Sequence, residues 1–211
     1  MPPYEALLPF VLGILVLQLS PGPDMLLILD RGLTHGTRIA FSTIAGIVLV
    51  AGAVQLALLV LGLGTLLHDH PSILIWLRAA GAAYLCYLGL RMMATPFRGI
   101  GARPRPVDTG TALREGALNS LTNPKTCLFL FVVLPQFADP SAGPVWLQML
   151  VLGALHKLAS FTTLGAVALA AGRIGRWTRR WPHLLPVQRH LCGALLVALG
   201  AGMALRQAYP A

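Results

Sequence analysis

The chain has 211 residues, of which 56% are hydrophobic and only 11% charged, with a mean hydropathy of +0.72 and a formal net charge of +9. Such a composition excludes an ordinary soluble domain and reads as an integral membrane protein. The positive charge does not indicate a nucleic-acid binder, because the arginines fall in short stretches between apolar runs, where they set membrane orientation.

The N-terminus, Met1-Pro2-Pro3-Tyr4-Glu5, carries no basic region, and no convincing small-residue cleavage site follows the first apolar run. The first segment is therefore read as retained and not as a signal peptide. Taking roughly 20 apolar residues per span, hydropathy predicts six transmembrane segments, at about 5–30, 38–67, 72–94, 112–137, 144–172 and 186–207.

The connections alternate in charge. Arg31 and Arg38 lie between the first and second segments; Arg98, Arg103 and Arg105 between the third and fourth, flanked by Arg91 and Arg114; and Arg173, Arg176, Arg179, Arg180 and Arg189 between the fifth and sixth. The even connections hold only His68-Asp69-His70-Pro71 and Asp139-Pro140-Ser141. The positive-inside rule then puts the odd loops in the cytoplasm and both termini outside.

Three spans per half is an odd number, so a duplicated half must insert upside down. The expected architecture is an all-α membrane protein of two inverted three-helix repeats, residues 1–94 and 112–211, joined by a cytoplasmic linker at 95–111. The echoes Ala45-Gly46-Ile47 with Leu152-Gly153-Ala154, and Ala80-Gly81-Ala82 with Cys192-Gly193-Ala194, fit this, although small residues also serve close helix packing.

Two of the six segments contain helix breakers. Ser20-Pro21-Gly22-Pro23-Asp24 interrupts the first, since proline removes a backbone donor and glycine gives a helix little support. Thr122-Asn123-Pro124-Lys125 interrupts the fourth. Unwound backbone at membrane depth survives only inside protein or beside a wet cavity. A broken helix in each half points to a transport site between them.

Ionisable residues inside the spans are few: Asp24, Lys125, His156 and Lys157, with Arg78 and Arg91 near enough to the ends of their span to snorkel. Asp24 and Lys125 fall in the first turns of the half-helices that start at Pro23 and Pro124. Facing each other, they would suit the ammonium and carboxylate of a free amino acid. They could equally pair with each other and hold the bundle closed. His156 and Lys157 are adjacent and point about 100° apart on a helix, so one lines the path while the other packs. A histidine there could relay protons or serve as an interhelical contact. Gln55, Gln18 and Ser160 are further polar residues able to line a path or bond across helices.

The stretch Pro21-Gly22-Pro23-Asp24 with Met25-Leu26-Leu27, then Gly36-Thr37-Arg38, and in the second half Asn123-Pro124-Lys125, Leu134-Pro135-Gln136-Phe137 and Asp139-Pro140, resembles the lysine exporter and homoserine/threonine exporter (LysE/RhtB) translocator family along essentially the whole chain. The resemblance implies a secondary transporter of the bacterial cytoplasmic membrane that exports amino acids or close derivatives by proton antiport. It carries substrate-site roles to Pro21, Gly22, Pro23, Asp24, Asn123, Pro124 and Lys125. Asn is common in that family at the position of Asp24, and the His156-Lys157 pair matches no pattern in it. Gln55, His156, Lys157 and Asp24 are the candidates for pathway or proton coupling.

The rival readings are an ion or metal-cation translocator of the same superfamily and a membrane-embedded enzyme. Lys125 at mid-membrane opposes a divalent-metal path. The sequence shows no His-rich metal cluster, no carboxylate pair at helical spacing and no nucleophile with an evident base, and His35, His68, His70 and His183 are isolated. No enzyme activity, cofactor or metal is expected. Cys86, Cys127 and Cys192 form no CxxC pair and read as buried small hydrophobes. The expected partners are an amino acid or derivative, protons and the lipid bilayer, with glycine stripes that suit either internal packing or a homodimer face.

Overall fold

The computed structural model describes residues 4–64, 72–94, 106–180 and 184–208. The connection His68-Asp69-His70-Pro71, the linker arginines Arg98, Arg103 and Arg105, and His183 lie outside the described residues. Within them the structure is helical throughout, with no strand.

Helix α1 (Tyr4–Leu19) ends at the first breaker, and α2 (Pro23–Thr34) resumes after three residues at a bend of 46°. Gly36, at a φ of 82° that favours glycine, turns the chain into α3 (Thr37–Ala45), which runs without a break through a π turn at Gly46–Val50, α4 (Ala51–Ala57) and a second π stretch at Leu58–Gly64. Helix α5 (Ile73–Ala94) closes the first half. In the second half α6 (Thr109–Thr122) and α7 (Pro124–Leu128) meet at Asn123. The chain continues as a π turn at Phe129–Val133 and 3-10 turns at Leu134–Phe137 and Pro140–Ala142, and two long helices follow, α8 (Val145–Arg180) and α9 (Leu184–Ala208).

Three stretches are long and apolar enough to cross a bilayer unaided: Thr37–Gly62, Val145–Trp177 and Pro186–Leu205. The bent pairs Phe10–Leu19 with Pro23–Thr34 and Thr109–Thr122 with Pro124–Phe137, the latter bent by 53°, bring the number to as many as five. Helix α5 covers the third predicted segment with 22 residues, a length of about 33 Å at 1.5 Å per residue.

Three boundaries differ from the sequence reading, the first being α2, which runs to Thr34 and not to about 30. Helix α6 begins at Thr109, not near 112, because Asp108 caps it by accepting from Thr111 N–H at 2.7 Å. Helix α8 runs to Arg180, so Arg173, Arg176, Arg179 and Arg180, read as loop residues, are helical. No proline interrupts the helix before Pro182, and at about 54 Å α8 exceeds the ~30 Å hydrocarbon layer, which leaves room for a cationic end.

Two apolar clusters make up the core. One gathers Phe10, Ile14 and Leu17 of α1 with Leu85, Phe129, Leu134, Met149, Leu152 and Leu196; the other gathers Ile28 and Leu29 of α2 with Ala40, Ile44, Leu164, Val167 and Ala168. Helix α8 belongs to both. Between its apolar ends, Leu152 and Leu164, it buries His156, Lys157 and Ser160, and this polar stretch therefore lies between the two clusters.

Close packing supports the arrangement. A Cβ on Gly46 would fall 1.9 Å from Leu113 O, and one on Gly116 would fall 2.2 Å from Thr43 O, so α3 and α6 cross where both must be glycine. The echoed glycines Gly46 and Gly153 do not share a role: Gly153 packs against the Leu56 and Leu59 side chains.

Candidate functional site

The two breaks meet. Pro23 and Pro124 each occupy the first position of a half-helix, where the absent N–H costs nothing, and the residue after each reaches across to the other break. Asp24 Oδ1 accepts from Asn119 Nδ2 at 2.6 Å and Oδ2 accepts from Thr126 Oγ1 at 3.2 Å. Lys125 Nζ donates to Ser20 O at 2.7 Å.

The direct Asp24–Lys125 ion pair, one of the two sequence readings, does not form. Each group is instead held by the opposite break. Lys125 answers a carbonyl freed at the end of α1, where the helix dipole favours a cation. Asp24 sits in the first turn of α2, where it favours an anion. Gly22 makes the first contact possible: a Cβ there would lie 3.2 Å from both Cδ and Nζ of Lys125.

Three further carbonyls near the breaks are also taken. Gln188 Nε2 donates to Leu19 O at 2.8 Å, Gln55 Nε2 to Ser120 O at 3.1 Å, and Cys127 Sγ to Leu121 O at 3.2 Å. Asn123 caps α7 by accepting from Lys125 N–H at 3.1 Å. Cys86, Cys127 and Cys192 are free thiols, and Cys127 acts as a weak donor at the break in addition to filling space.

A cavity of about 30 Å³ lies between the breaks and α8, lined by Gly22, Asp24, Asn123, Lys125 and His156 of the predicted residues, together with Gln18, Ser20, Thr126 and Ser160. Leu17, Met25 and Leu164 complete its wall. It has room for about two waters, which need 10–15 Å³ each. Pro21, Pro23 and Pro124 shape the backbone outside this lining.

His156 and Lys157 diverge, as their spacing requires. The His156 ring stacks on Phe129, centroids 5.1 Å apart at 27°, and lines the cavity. Lys157 turns away and donates to Gln55 Oε1, its stem lying over Gly52, where a Cβ would come within 3.4 Å of Cδ. Gln55 thus joins Lys157 to the end of α6 and lies outside the cavity lining.

None of Ser20, Asn119 and Thr126 was among the site residues expected from the sequence. The available signal was position: Asn119 lies one turn before Asn123, and Thr126 two residues after Pro124. Further along, Arg31, read as a loop residue, lies in the last turn of α2 and pairs with Glu115 of α6.

Comparison with known proteins identifies the family. The chain is 33% identical over 201 residues to an uncharacterized membrane protein, PA4757, of Pseudomonas aeruginosa, covering 92% of this chain and 93% of the relative. It is 29% identical to the leucine efflux protein of an Enterobacter species, over 92% and 93% of the two chains, and 27% identical to that of Salmonella typhimurium, over 94% of each. No solved structure matches. The LysE type translocator family matches residues 15–207, and the chain belongs to that family.

Proposed function

We propose that the protein is a secondary transporter that exports amino acids or close derivatives across the bacterial cytoplasmic membrane by proton antiport. The observation that carries the reading is the reciprocal hold of the two breaks, Asp24 on Asn119 and Thr126, and Lys125 on Ser20 O. These are a carboxylate and an ammonium on opposite sides of one small polar cavity. Leucine efflux relatives at 27–29% identity support the direction of transport and the amino-acid class.

In this reading the substrate carboxylate displaces Ser20 O from Lys125, and the substrate ammonium takes the place of Asn119 and Thr126 on Asp24. A cavity of about 30 Å³ cannot hold an amino acid, so loading requires the breaks to part. Protonation of Asp24 removes the charge that holds the ammonium, which couples release to proton uptake. Pro21, Gly22, Pro23, Asn123 and Pro124 keep the two ends open at mid-membrane; His156 belongs to the pathway, and Lys157 with Gln55 stiffens the second break.

Six spans in two inverted repeats, 1–94 and 112–211 joined at 95–111 and with both termini outside, give the twofold relation that the matched positions of Asp24 and Lys125 suggest. Rocking one repeat against the other would then expose the site to each side in turn. A homodimer is not required by the site.

The test is efflux of a panel of labelled amino acids from proteoliposomes, with and without an imposed pH gradient, for the wild type and Asp24→Asn. Saturable, gradient-dependent efflux that the variant loses supports the reading. Undiminished gradient-coupled efflux by Asp24→Asn removes Asp24 from coupling, and no efflux of any amino acid by folded, inserted protein overturns the assignment.

A further inference from the structure

The cavity wall opposite the breaks contains a hydrogen-bonded cluster whose donors and acceptors can be assigned from the geometry. Ser160 Oγ donates its one proton to His156 O at 2.9 Å. The group that Gln18 turns toward Ser160 Oγ must therefore be its NH2, which donates to that oxygen. The same Gln18 Nε2 lies 3.5 Å from His156 Nε2, which makes that ring nitrogen the acceptor. In a neutral imidazole the proton is then on Nδ1.

His156 is only 2% exposed, and its Nδ1 has no partner. A buried donor with no protein partner is unfavourable unless something in the cavity accepts from it, and this one belongs to a residue that lines the cavity. Neither the stacking on Phe129 nor the Gln18 contact uses it. The ring stacks on Phe129 and meets Gln18 at Nε2, while its Nδ1–H has no protein partner.

We infer that His156, fixed by Gln18 and Ser160, is a specificity-determining residue whose Nδ1–H receives the side chain of the transported amino acid, and that this side chain carries a hydrogen-bond acceptor, such as a carboxamide or carboxylate. The inference rests on the exporter reading above and adds the end of the site that reads the side chain. Asp24 and Lys125 serve the ammonium and carboxylate common to all amino acids and cannot distinguish one from another. A plain aliphatic side chain would leave Nδ1–H unmatched, and a site built to hydrogen-bond its substrate rejects the analogue that lacks the group far more strongly than an apolar pocket rejects a missing methylene.

The experiment measures kcat/KM for efflux of glutamine, glutamate and leucine from proteoliposomes containing the full chain. Wild type is expected to favour glutamine or glutamate over leucine by about tenfold or more. His156→Phe keeps a ring to stack on Phe129 but has no donor, and should lower that ratio at least tenfold. His156→Gln, which keeps an N–H donor, should retain part of it. Gln18→Leu, which releases the ring tautomer without touching the stack, should lower the ratio by a smaller factor and covers the case in which His156→Phe does not fold.

A wild-type preference for leucine overturns the inference and leaves the exporter reading standing. So does an equal loss for all three substrates in the variants, since a merely structural histidine would act that way. Failure of wild type to move any amino acid overturns both.

Discussion

The two helix breaks meet across the bundle and are built differently. The first takes three residues, Ser20-Pro21-Gly22, out of helix, and Gly22 is extended at φ −132°, ψ 179° with no side chain to cap α2. The second needs only Asn123, whose side chain caps α7 directly, while Gln55 and Cys127 take up the carbonyls before it. The first break is completed from outside, by Lys125 and Gln188. Near-identical bends of 46° and 53° thus have unequal support: the second break caps its own half-helix through Asn123 and draws on Gln55 of α4, whereas the first has no cap of its own and leans on Lys125 of the second. The lone ammonium at the contact is therefore the group a substrate carboxylate can most readily unseat.

The largest effect should come from Lys125→Met, which keeps the stem and removes the charge. It leaves Ser20 O without its charge-assisted bond, worth about 1.5–3 kcal/mol, and takes away the proposed carboxylate partner. Efflux should fall by about 10- to 100-fold, since each 1.4 kcal/mol is a factor of ten. Cysteine accessibility should change at positions 20–22 and much less at 122–124. Equal disturbance of both breaks would contradict the dependence of one on the other.

Gly22→Ala is next. Its extended backbone accepts alanine, but the added Cβ meets Lys125 Cδ and Nζ at 3.2 Å, so the ammonium must shift by a few tenths of an ångström. Membrane insertion and thermal stability should hold within about 1 kcal/mol, while the apparent KM for efflux rises several-fold. An unchanged KM would mean that the Lys125–Ser20 contact is not disturbed by substrate.

Asn123→Ala tests the self-capped break. Loss of the cap should cost about 1 kcal/mol of stability, read as an earlier thermal transition in detergent, with Lys125 still able to hold Ser20 O. A loss of efflux as complete as that of Lys125→Met would show the second break to be as dependent as the first.

The smallest effect concerns the entry to α6. The Thr111 N–H holds the Asp108 carboxyl below the usual carboxylate range. A carboxyl lowered in the fold stabilises it above its unfolded value and loses that contribution as pH falls through the folded one. NMR titration should place Asp108 below 3.8, and Asp108→Ala should remove the effect while leaving efflux near that of wild type. A midpoint at or above the ordinary value would show that the cap does not persist in the membrane.

The sequence by itself determined the membrane character, the helical class, the places of both breaks and the candidacy of Asp24 and Lys125. Breaking a helix is a local act of proline and glycine, and membrane hydropathy is read over windows of about 20 residues. Neighbouring residues could also show that His156 and Lys157 diverge, because helical geometry alone separates them. Local reasoning could not tell which of the two faces the cavity, that Gln55 serves Lys157, or that Asp24 and Lys125 pass each other to bind the opposite break. Those outcomes depend on contacts across 95 to 142 residues of chain: Asp24 with Asn119, Lys125 with Ser20, Lys157 with Gln55, and Gln18 with Ser160. Only the packed bundle, with α8 shared between two apolar clusters, decided which polar groups the freed carbonyls at the breaks met, because a buried polar group draws its partner from the few within reach.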